Sequence, residues 1–466
     1  MMNIYAKYVT NKAGLIVALL LLVACQLAGS GDRVYIDSQN TNSSSRNGTI
    51  DNPYASWEEI DIVSNTSYFI KRSSELSLSR TLNIYRKSGV TINAYGEGEP
   101  PVIQAGAIER TVDIYNSQHI KIKNVNLIGS SNNIFGIRIR GNSRDVTVEQ
   151  CRISDFLWGM RLMGNSHKDP LENITIANSY IEKIADDGVF ARHVNGLHVD
   201  SCEIRRVNQN WFRVGKAESQ SAGDGIQLDR CMNFRISNCN IDRTDTGNKF
   251  CIIANKSKNG QISNNILQGP SKEGQGGAAV YLGYGSDSVK ATNNVISDSP
   301  CGIYSHSKNS FFYRNIIKEN GVGAWFIDIK KGIVLNNTFF NNSVALKGSN
   351  LEVYNNIFYA EAHTGSLITL GGSSVSDYNC YFSSTPKRIF NHYGNLEVYS
   401  IHTGNGKNSV FEDPLFENAA EGNFSLKEKS ICIDQGLDKK YKWEVIYKHC
   451  GETIDIGAKE RCFYEE

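Results

Sequence analysis

The sequence is short of proline, of net charge and of long apolar runs. Only 8 of its 466 residues are proline, and 49 basic residues stand against 48 acidic ones, which gives a formal net charge of +1. A balanced charge provides no global attraction to nucleic acid or to an anionic membrane surface, so no nucleic-acid partner is expected. After the first 25 residues, no apolar run is long enough to cross a bilayer. The function must therefore come from local clusters of side chains.

The first 25 residues have the pattern of an export signal. Lys7 and Lys12 precede an apolar run from Leu15 to Ala24, which is too short for a typical spanning helix. The run ends in the letters LVAC, which resemble the lipobox of bacterial lipoproteins. This resemblance implies that Cys25 is lipidated and anchors the protein to a bacterial membrane, in the periplasm or at the cell surface. An ordinary cleaved secretory signal is the alternative, and both interpretations predict an exported protein.

Ten cysteines follow Cys25, but there is no CxxC pair and no Cys/His cluster with zinc spacing. Three of them share one position of the repeat described below, where a small buried thiol can serve as a core residue: Cys151, Cys202 and Cys239. Three others near the C-terminus are the better disulfide candidates, with the pairing open: Cys432, Cys450 and Cys462.

Internal similarity is the strongest pattern in the chain. One phrase recurs, for example as VTVEQCRIS (146–154), ITIANSYIE (174–182), FRISNCNID (234–242) and LEVYNNIFY (351–359), at spacings of 19 to 37 residues. Apolar and polar residues alternate within it, as expected for a strand with one buried face. A shorter strand precedes each phrase, as in WGMRL, DGVFA and DGIQL. Two or more strands per repeat without intervening helices predict an all-β solenoid of stacked parallel sheets.

An asparagine marks the bend in many repeats, and its side-chain amide is predicted to bond its counterpart in the next coil. These residues are Asn124, Asn178, Asn238, Asn264, Asn293, Asn336 and Asn355. The pattern resembles the right-handed parallel β-helix proteins of the pectate-lyase-like superfamily over residues 111–382. The lipobox resemblance implies that residues 1–25 are a lipoprotein signal, and residues 26–50 are expected to form a tether and first strand. Residues 51–110 hold an N-terminal helical cap and the first coils, and 383–466 form a C-terminal closing segment.

Stacking the short strands in register predicts two outward rows of side chains that could hold an extended acidic sugar chain. Guanidinium groups match carboxylate or sulfate, and aromatic faces pack against sugar rings. A solvated sheet face is the plain alternative. The candidate substrate-binding residues in the rows are Arg138, Arg140, Arg161, Tyr281, Tyr304 and His306. The longest repeat carries an insertion that is predicted to form one wall of a cleft and that adds Trp211 and Arg213.

Acidic residues directly before two of the short strands are the strongest candidates for chemistry. Asp186-Asp187-Gly188 and Gly223-Asp224-Gly225 take equivalent places in consecutive coils, and Lys249 follows one coil later. Like charges at coil spacing repel, so either one carboxylate takes up a proton or the group shares a cation. Calcium is the expected cation for oxygen ligands, which would be Asp186, Asp187, Asp224 and Asp229. Aspartate before glycine is also a common turn pattern without chemistry.

The leading hypothesis is a polysaccharide lyase that cleaves an acidic, uronic-acid-containing polymer by β-elimination. The cation would be held by Asp187, Asp224 and Asp229. Arg192 would help to neutralise the substrate carboxylate, and Lys249 would be the base. This arrangement resembles that of lyases in the superfamily that combine calcium with a lysine or an arginine in the active site.

Two alternatives remain open. A glycoside hydrolase would use Asp186, Asp187 and Asp224 as acid and base. The Gly-His-Gly and Arg-Ile-Lys motifs of polygalacturonases are missing from this sequence, so the hydrolase hypothesis ranks below the lyase hypothesis. A surface protein that binds glycans or acts as an adhesin without catalysis is the third hypothesis, because a fold does not fix a function.

Overall fold

The computed structural model describes residues 31–42, 45–130, 133–207, 213–214, 217–218, 223–244, 249–270, 276–361, 366–384, 389–390, 393–438 and 451–462. Their architecture is a solenoid of three long parallel sheets. Each coil contributes one strand to each sheet in turn, so that every strand pairs with the equivalent strands of the coils before and after it. The predicted all-β parallel β-helix is confirmed, with three strands in most coils.

The first sheet has fourteen strands. They are Asp32–Ile36, Thr66–Lys71, Thr91–Tyr95, Gln118–Lys123, Arg144–Glu149, Leu171–Ala177, Val194–Asp200, Arg235–Ser237, Gln261–Ser263, Val289–Thr292, Asn309–Tyr313, Lys331–Leu335, Leu351–Tyr354 and Val375–Asp377.

The second sheet is built from the shorter strands that precede each phrase and has twelve strands. They are Leu82–Tyr85, Arg110–Tyr115, Phe135–Gly141, Trp158–Gly164, Val189–Arg192, Ile226–Asp229, Phe250–Asn255, Ala278–Leu282, Cys301–Ser305, Val322–Phe326, Val344–Ser349 and Ile368–Gly371.

The third sheet has fourteen strands. They are Glu75–Leu78, Val102–Ala105, Asn126–Ile128, Arg152–Phe156, Tyr180–Ile184, Glu203–Val207, Asn240–Asp242, Ile266–Gln268, Val295–Ser297, Ile316–Lys318, Thr338–Phe340, Ile357–Ala360, Cys380–Ser383 and Val410–Phe411.

Each recurring phrase is two strands rather than one. A residue with positive φ turns the chain between the first and the third sheet, for example Asn178 (φ 49°) and Asn264 (φ 57°). Asparagine tolerates this left-handed conformation better than most residues, which explains its frequency at the bend. The side chains that alternate inward from all three sheets form one continuous core of isoleucine, valine, leucine and phenylalanine along the axis.

A buried asparagine ladder lies one residue after the predicted position. Its members are Asn265, Asn294, Asn315, Asn337, Asn356 and Asn379, each bonded to the next through side-chain amides at 2.9–3.0 Å. The predicted bend asparagines instead adopt the turn conformation on the outside. Some of them also bond across coils, as Asn124 does to Asn93. In the earlier coils Cys151, Cys202 and Cys239 take the ladder position as buried free thiols, which confirms them as core residues.

The two ends of the solenoid are capped differently. At the N-terminal end, the helical cap is one 3-10 turn, Trp57–Glu59, whose buried Trp57 packs against Tyr68. At the other end follow an α-helix, Leu396–Thr403, a hairpin, Phe416–Asn418 with Asn423–Leu426, and a 3-10 turn, Ala419–Glu421. This segment covers outward apolar residues of the last coils. None of the described helices is long and apolar enough to cross a bilayer.

The disulfide prediction is wrong for one of its three cysteines. Cys432 is a buried free thiol that contacts the thiol of Cys380 beneath the C-terminal segment, because the hairpin carries it inward onto the third sheet. Cys462 is disulfide-bonded, as predicted. Cys450 lies outside the described residues, as do the export signal and Cys25.

Candidate functional site

An open pocket forms on the second sheet where two short aspartates interrupt a row of aromatic side chains. The pairing of Met160 with Val189, of Val189 with Ile226 and of Ile226 with Ile252 sets the register. Two residues before each of these positions, one row therefore contains Trp158, Asp187, Asp224 and Phe250. Trp158 stacks on Phe135 at 5.3 Å, and Phe250 stacks on Tyr281 at 4.9 Å. The small side chains between these two ring pairs leave space that bulky ones would fill.

The predicted convergence of the acidic residues is confirmed. Asp187 and Asp224 come from adjacent coils, and the backbone N–H of Asp224 donates to Asp187 Oδ1 at 2.7 Å. The backbone N–H of Phe250 donates to Asp224 Oδ1 at 3.1 Å. Gly223 makes this approach possible, because a Cβ there would lie 1.8 Å from the carbonyl oxygen of Asp186. The backbone N–H groups of Asp224 and Phe250 thus hold the carboxyl groups of Asp187 and Asp224 in position.

Both carboxyl groups of this pair are more basic than ordinary aspartates. Burial, followed by the negative charges of Asp224 and Asp186, raises the pKa of Asp187 well above its usual value. Burial also raises the pKa of Asp224, to about 6, although Arg243, the N–H of Phe250 and Lys249 act in the opposite direction. Burial and like charge at this pair therefore favour uptake of a proton, as the like-charge argument predicts.

The pocket has a volume of about 470 Å³ and places cationic side chains around the two carboxyl groups. Its lining consists of Trp158, Arg161, Asp186, Asp187, Phe190, Arg192, Asp224, Gln227, Lys249, Phe250 and Ile253. The predicted catalytic residues Lys249, Arg192, Asp187 and Asp224 thus share one pocket. Aromatic Trp158, Phe190 and Phe250 were not among the predicted residues.

Arg161 differs from the other predicted arginines in its partners. Its guanidinium lies 4.4 Å from the ring of Trp158, 5.5 Å from Phe190 and 5.6 Å from Phe135. Burial, and then the charge of Arg192, lowers its pKa. Among the described residues, no carboxylate lies within ion-pair distance of Arg161. Arg161 lines the pocket, so its guanidinium is accessible to an anion that enters.

Arg138, Arg140 and Arg192 are already paired. Arg138 forms two hydrogen bonds to the fully buried Asp113, at 2.6 and 3.1 Å, and Arg140 forms two more, at 3.2 and 3.4 Å. Burial would raise the pKa of Asp113, but hydrogen bonds from Arg138, Tyr85 and Arg140 hold it below the usual value. Arg192 is paired with Asp229 at 2.7 Å. The sequence pattern did not reveal these partners, because Asp113 belongs to an earlier coil.

The register of the predicted outward rows is confirmed. At the aromatic end of the rows the rings pack against one another. Tyr281 pairs with Tyr304, and Tyr304 with Trp325, at centroid distances of 5.4 and 5.3 Å. His306 is buried and stacks on Tyr284 at 3.9 Å. The ring planes are tilted by 54° between Tyr281 and Tyr304 and by 33° between Tyr304 and Trp325. Sugar binding by Tyr281, Tyr304 and His306 stays a prediction.

The described residues do not fit the predicted calcium site. No group of three or more His, Cys, Asp or Glu side chains among them is placed to hold a metal ion. Asp229 lies at the far end of its strand and forms ion pairs with Arg192 and Arg230, both at 2.7 Å. Asp187 and Asp224 each use one oxygen to accept a backbone N–H. The pair is therefore suited to proton transfer.

The predicted cleft wall is only partly described. Backbone strands Arg213–Val214 and Ala217–Glu218 pair as a small antiparallel hairpin within the insertion. Trp211 lies outside the described residues. The role of both Trp211 and Arg213 in substrate binding stays a prediction.

The raised pKa of Asp224 predicts how stability depends on pH. The folded state keeps a proton up to about pH 6, whereas the unfolded chain releases it near the ordinary value of about 4. The free energy of unfolding therefore falls as pH rises from about 4 through 6, and Asp224→Asn removes this loss. At pH 7.5 we expect Asp224→Asn to be more stable than the wild type by about 3 kcal/mol.

Urea unfolding of both proteins at pH 4.5 and pH 7.5 measures this difference. Asp298→Asn is the matched control, because Asp298 lies at a bend outside the pocket. A gain of equal size at both pH values would show that the effect does not come from ionisation of Asp224.

The fold and the pocket together define a parallel β-helix protein with an acidic pair set into its second sheet. The sequence matches the family described as "Right handed beta helix region" over residues 110–283 and 250–412, which together cover more than half of the chain. The protein belongs to this family. No curated protein sequence matches it significantly.

Several solved structures are similar to this chain at low identity. A GH136 lacto-N-biosidase from Eubacterium ramulus is 13% identical, with 73% of this chain and 68% of that chain covered and a TM-score of 0.46. Pectate lyase Pel9A is 15% identical, with 93% and 97% covered and a TM-score of 0.41. A rhamnogalacturonan lyase is 13% identical, with 74% and 88% covered and a TM-score of 0.39. The names of these neighbours describe action on carbohydrates. Similarity at this level does not assign a reaction to this chain.

Proposed function

We propose that this protein cleaves an acidic, uronic-acid-containing polysaccharide by β-elimination in the pocket of the second sheet. The observation that carries the proposal is the pair Asp187 and Asp224, two buried carboxyl groups of raised pKa beside the half-buried guanidinium of Arg161. Such perturbed groups in one concave pocket are typical of catalytic sites.

Arg161 supports an acidic substrate. β-Elimination removes the proton next to a carboxylate, which requires that the negative charge of the carboxylate be neutralised. A guanidinium can do this with two parallel hydrogen bonds. A protonated Asp187 can donate a further hydrogen bond to the same group. Arg192 lines the pocket beside Arg161 and adds positive charge, although Asp229 neutralises part of it.

Asp224 is the base that the geometry supports best. With a pKa of about 6 it is ionised at neutral pH and still more basic than an ordinary aspartate. The positive charge of Lys249 acts on Asp224, so the lysine lies close to the carboxylate as a cation. In this assignment Asp224 takes the proton from the carbon next to the carboxylate, and Lys249 donates one to the leaving oxygen when its bond to the sugar breaks. The sequence hypothesis made Lys249 the base and Asp224 a ligand of the cation, whereas here Asp224 is the base and Lys249 is the acid.

Hydrolysis is the second candidate, and one observation favours it. A glycoside hydrolase needs one protonated and one ionised carboxyl group, and the pKa values of Asp187 and Asp224 are raised to different extents. Asp187 would protonate the glycosidic oxygen and Asp224 would activate water or attack the sugar.

One assay separates these reactions. Residues 32–466 are incubated with pectin, alginate and glycosaminoglycans, and the products are followed by ultraviolet absorbance and by reducing ends. New reducing ends with absorbance of an unsaturated uronide support the lyase, and reducing ends without that absorbance support the hydrolase. Polysaccharide binding without any product would reject both and leave a surface glycan-binding protein. Undiminished activity in the presence of a chelator would exclude calcium from the reaction.

Arg161→Met is expected to raise KM for the acidic polysaccharide by about 10–100-fold, because a charged hydrogen-bonded contact contributes about 1.5–3 kcal/mol. Arg161→Lys keeps the positive charge but not the two parallel N–H donors of the guanidinium, so its KM should lie between those of the wild type and Arg161→Met. Initial rates over a range of substrate concentrations measure the effect. Arg144→Met, at an exposed arginine of the first sheet, is the control. An unchanged KM in Arg161→Met would show that Arg161 does not contact the substrate.

We also propose that the protein is exported and anchored to a bacterial membrane through a lipid on Cys25. The support is the LVAC sequence at the end of the apolar run. Cys25→Ala should move the protein from the membrane fraction to the soluble fraction and abolish incorporation of labelled palmitate. Retention of label in Cys25→Ala would contradict the proposal.

A further inference from the structure

Behind the acidic pair lies the largest fully buried side chain of the described residues, Arg243. It follows directly after the strand Asn240–Asp242 of the third sheet, and its backbone N–H donates to the carbonyl of Gln268 in the next coil at 2.9 Å. Its side chain enters the interior of the coil, where isoleucines and valines fill the equivalent space elsewhere. No feature of the sequence repeat pointed to this position.

A buried guanidinium is costly unless negative charge and hydrogen-bond acceptors surround it. Nη1 of Arg243 donates to the carbonyl oxygen of Gly223 at 2.7 Å, one residue before Asp224. Arg243 therefore holds the backbone that carries Asp224. Gly223, which accepts this hydrogen bond, is also the residue whose backbone lies against the backbone of Asp186 in the preceding coil.

We propose that Arg243 is the buried counter-ion of the acidic pair, which holds Asp224 in position and keeps one negative charge, not two, on Asp187 and Asp224. The positive charge of Arg243 stabilises an ionised Asp224 from behind, and repulsion between the two carboxyl groups then favours a proton on the second one. The proposal rests on the proposed function only for its catalytic consequence. Arg243 is a positioning residue, since it lies under the pocket floor and contacts no substrate.

Electrostatics within the site agree with this arrangement. Burial lowers the pKa of Arg243, and the negative charge of Asp224 opposes this more strongly than that of any other group. The smaller contributions come from Cys251, Asp187 and Asp242. The other charged groups around the pair are Asp186 from the coil of Asp187, Lys249 from the following coil, and Arg161 and Arg192, which line the pocket.

The first test is the pH dependence of the reaction in Arg243→Met. Loss of a neighbouring charge shifts a carboxyl pKa by about 1–3 units, so the acid limb of the pH–rate profile should move up by at least about one pH unit. Arg243→Lys keeps the charge and should leave the limb near its original position. Arg235→Met, at an exposed arginine of the first sheet, is the matched control. An acid limb that stays in place in Arg243→Met would overturn the proposal.

The second test needs no substrate. In Arg243→Met, the decline of stability with rising pH should continue to a higher pH than in the wild type, because the folded-state pKa of the pair is raised further. If Arg243→Met does not fold alone, adding Asp224→Asn should restore folding, because the carboxylate that lost its counter-ion is then neutral. The stability gain from Asp224→Asn should be larger in the Arg243→Met background than in the wild type, and an equal or smaller gain would contradict the counter-ion. If the pH dependence of stability shifts in Arg243→Met but the wild type cleaves no polysaccharide, the proposed function is rejected and the counter-ion role of Arg243 is retained.

Discussion

Asp224→Asn is expected to lower the rate of polysaccharide cleavage by about 10²–10⁴-fold, the contribution of a positioned acid or base. Asparagine preserves the size of the side chain and the oxygen that accepts the N–H of Phe250 at 3.1 Å. Only the ability to take a proton is lost. The same substitution is expected to raise stability at neutral pH, so loss of activity cannot be attributed to unfolding.

Initial rates of the purified variants at saturating substrate measure this effect. Asp187→Asn should behave similarly, since the acceptor for the N–H of Asp224 is again retained. Asp298→Asn should keep full activity. If Asp224→Asn retained more than about a tenth of the wild-type rate, acid–base chemistry at this pair would be excluded.

Asn337→Ala is expected to cost the fold about 3–5 kcal/mol, because it breaks several buried hydrogen bonds at once. Asn337 is fully buried in the asparagine ladder. Its amide donates to Asn356 Oδ1, to the carbonyl of Phe312 and to that of Leu335 at 3.0–3.1 Å. It also accepts from the backbone and side-chain nitrogens of Asn315, both at 2.9 Å. Alanine leaves all these buried groups without their partner.

Urea unfolding at one pH measures the loss. Asn142→Ala removes an exposed asparagine of the second-to-first sheet turn and should change stability by less than about 0.5 kcal/mol. Similar effects of the two substitutions would mean that the ladder contributes no more than surface asparagines do.

The architecture was predictable from the sequence because alternation and repeat length act locally and recur in every coil. The row from Arg138 through Phe190 to Tyr281 follows from counting residues once the repeats are aligned, and strand pairing confirms it. The bend asparagines were recognised, but the ladder was assigned one residue too early. Sequence repetition cannot tell which of two neighbouring asparagines points inward.

The site was predictable in part. Asp187 and Asp224 were found because both precede glycine at one place in the repeat. Asp113 was missed because its partner Arg138 belongs to the next coil, and Arg243 was missed because the repeat does not show that its side chain is buried. The partners of Arg138 and Arg192 depend on which coil faces which, and the calcium ligands were chosen by residue type alone. Side-chain direction and pairing decide these points, and neither is encoded in the repeat.

The long repeat between Asp187 and Asp224 has a consequence for how such a protein can diversify. The two carboxyl groups are 37 residues apart in the chain, yet their separation in space is set by hydrogen bonds between neighbouring coils. Segments of other length or composition can replace that excursion without disturbing the reactive groups. Natural variation can thus reshape the entrance and change which glycan is admitted, while the chemistry beneath stays constant.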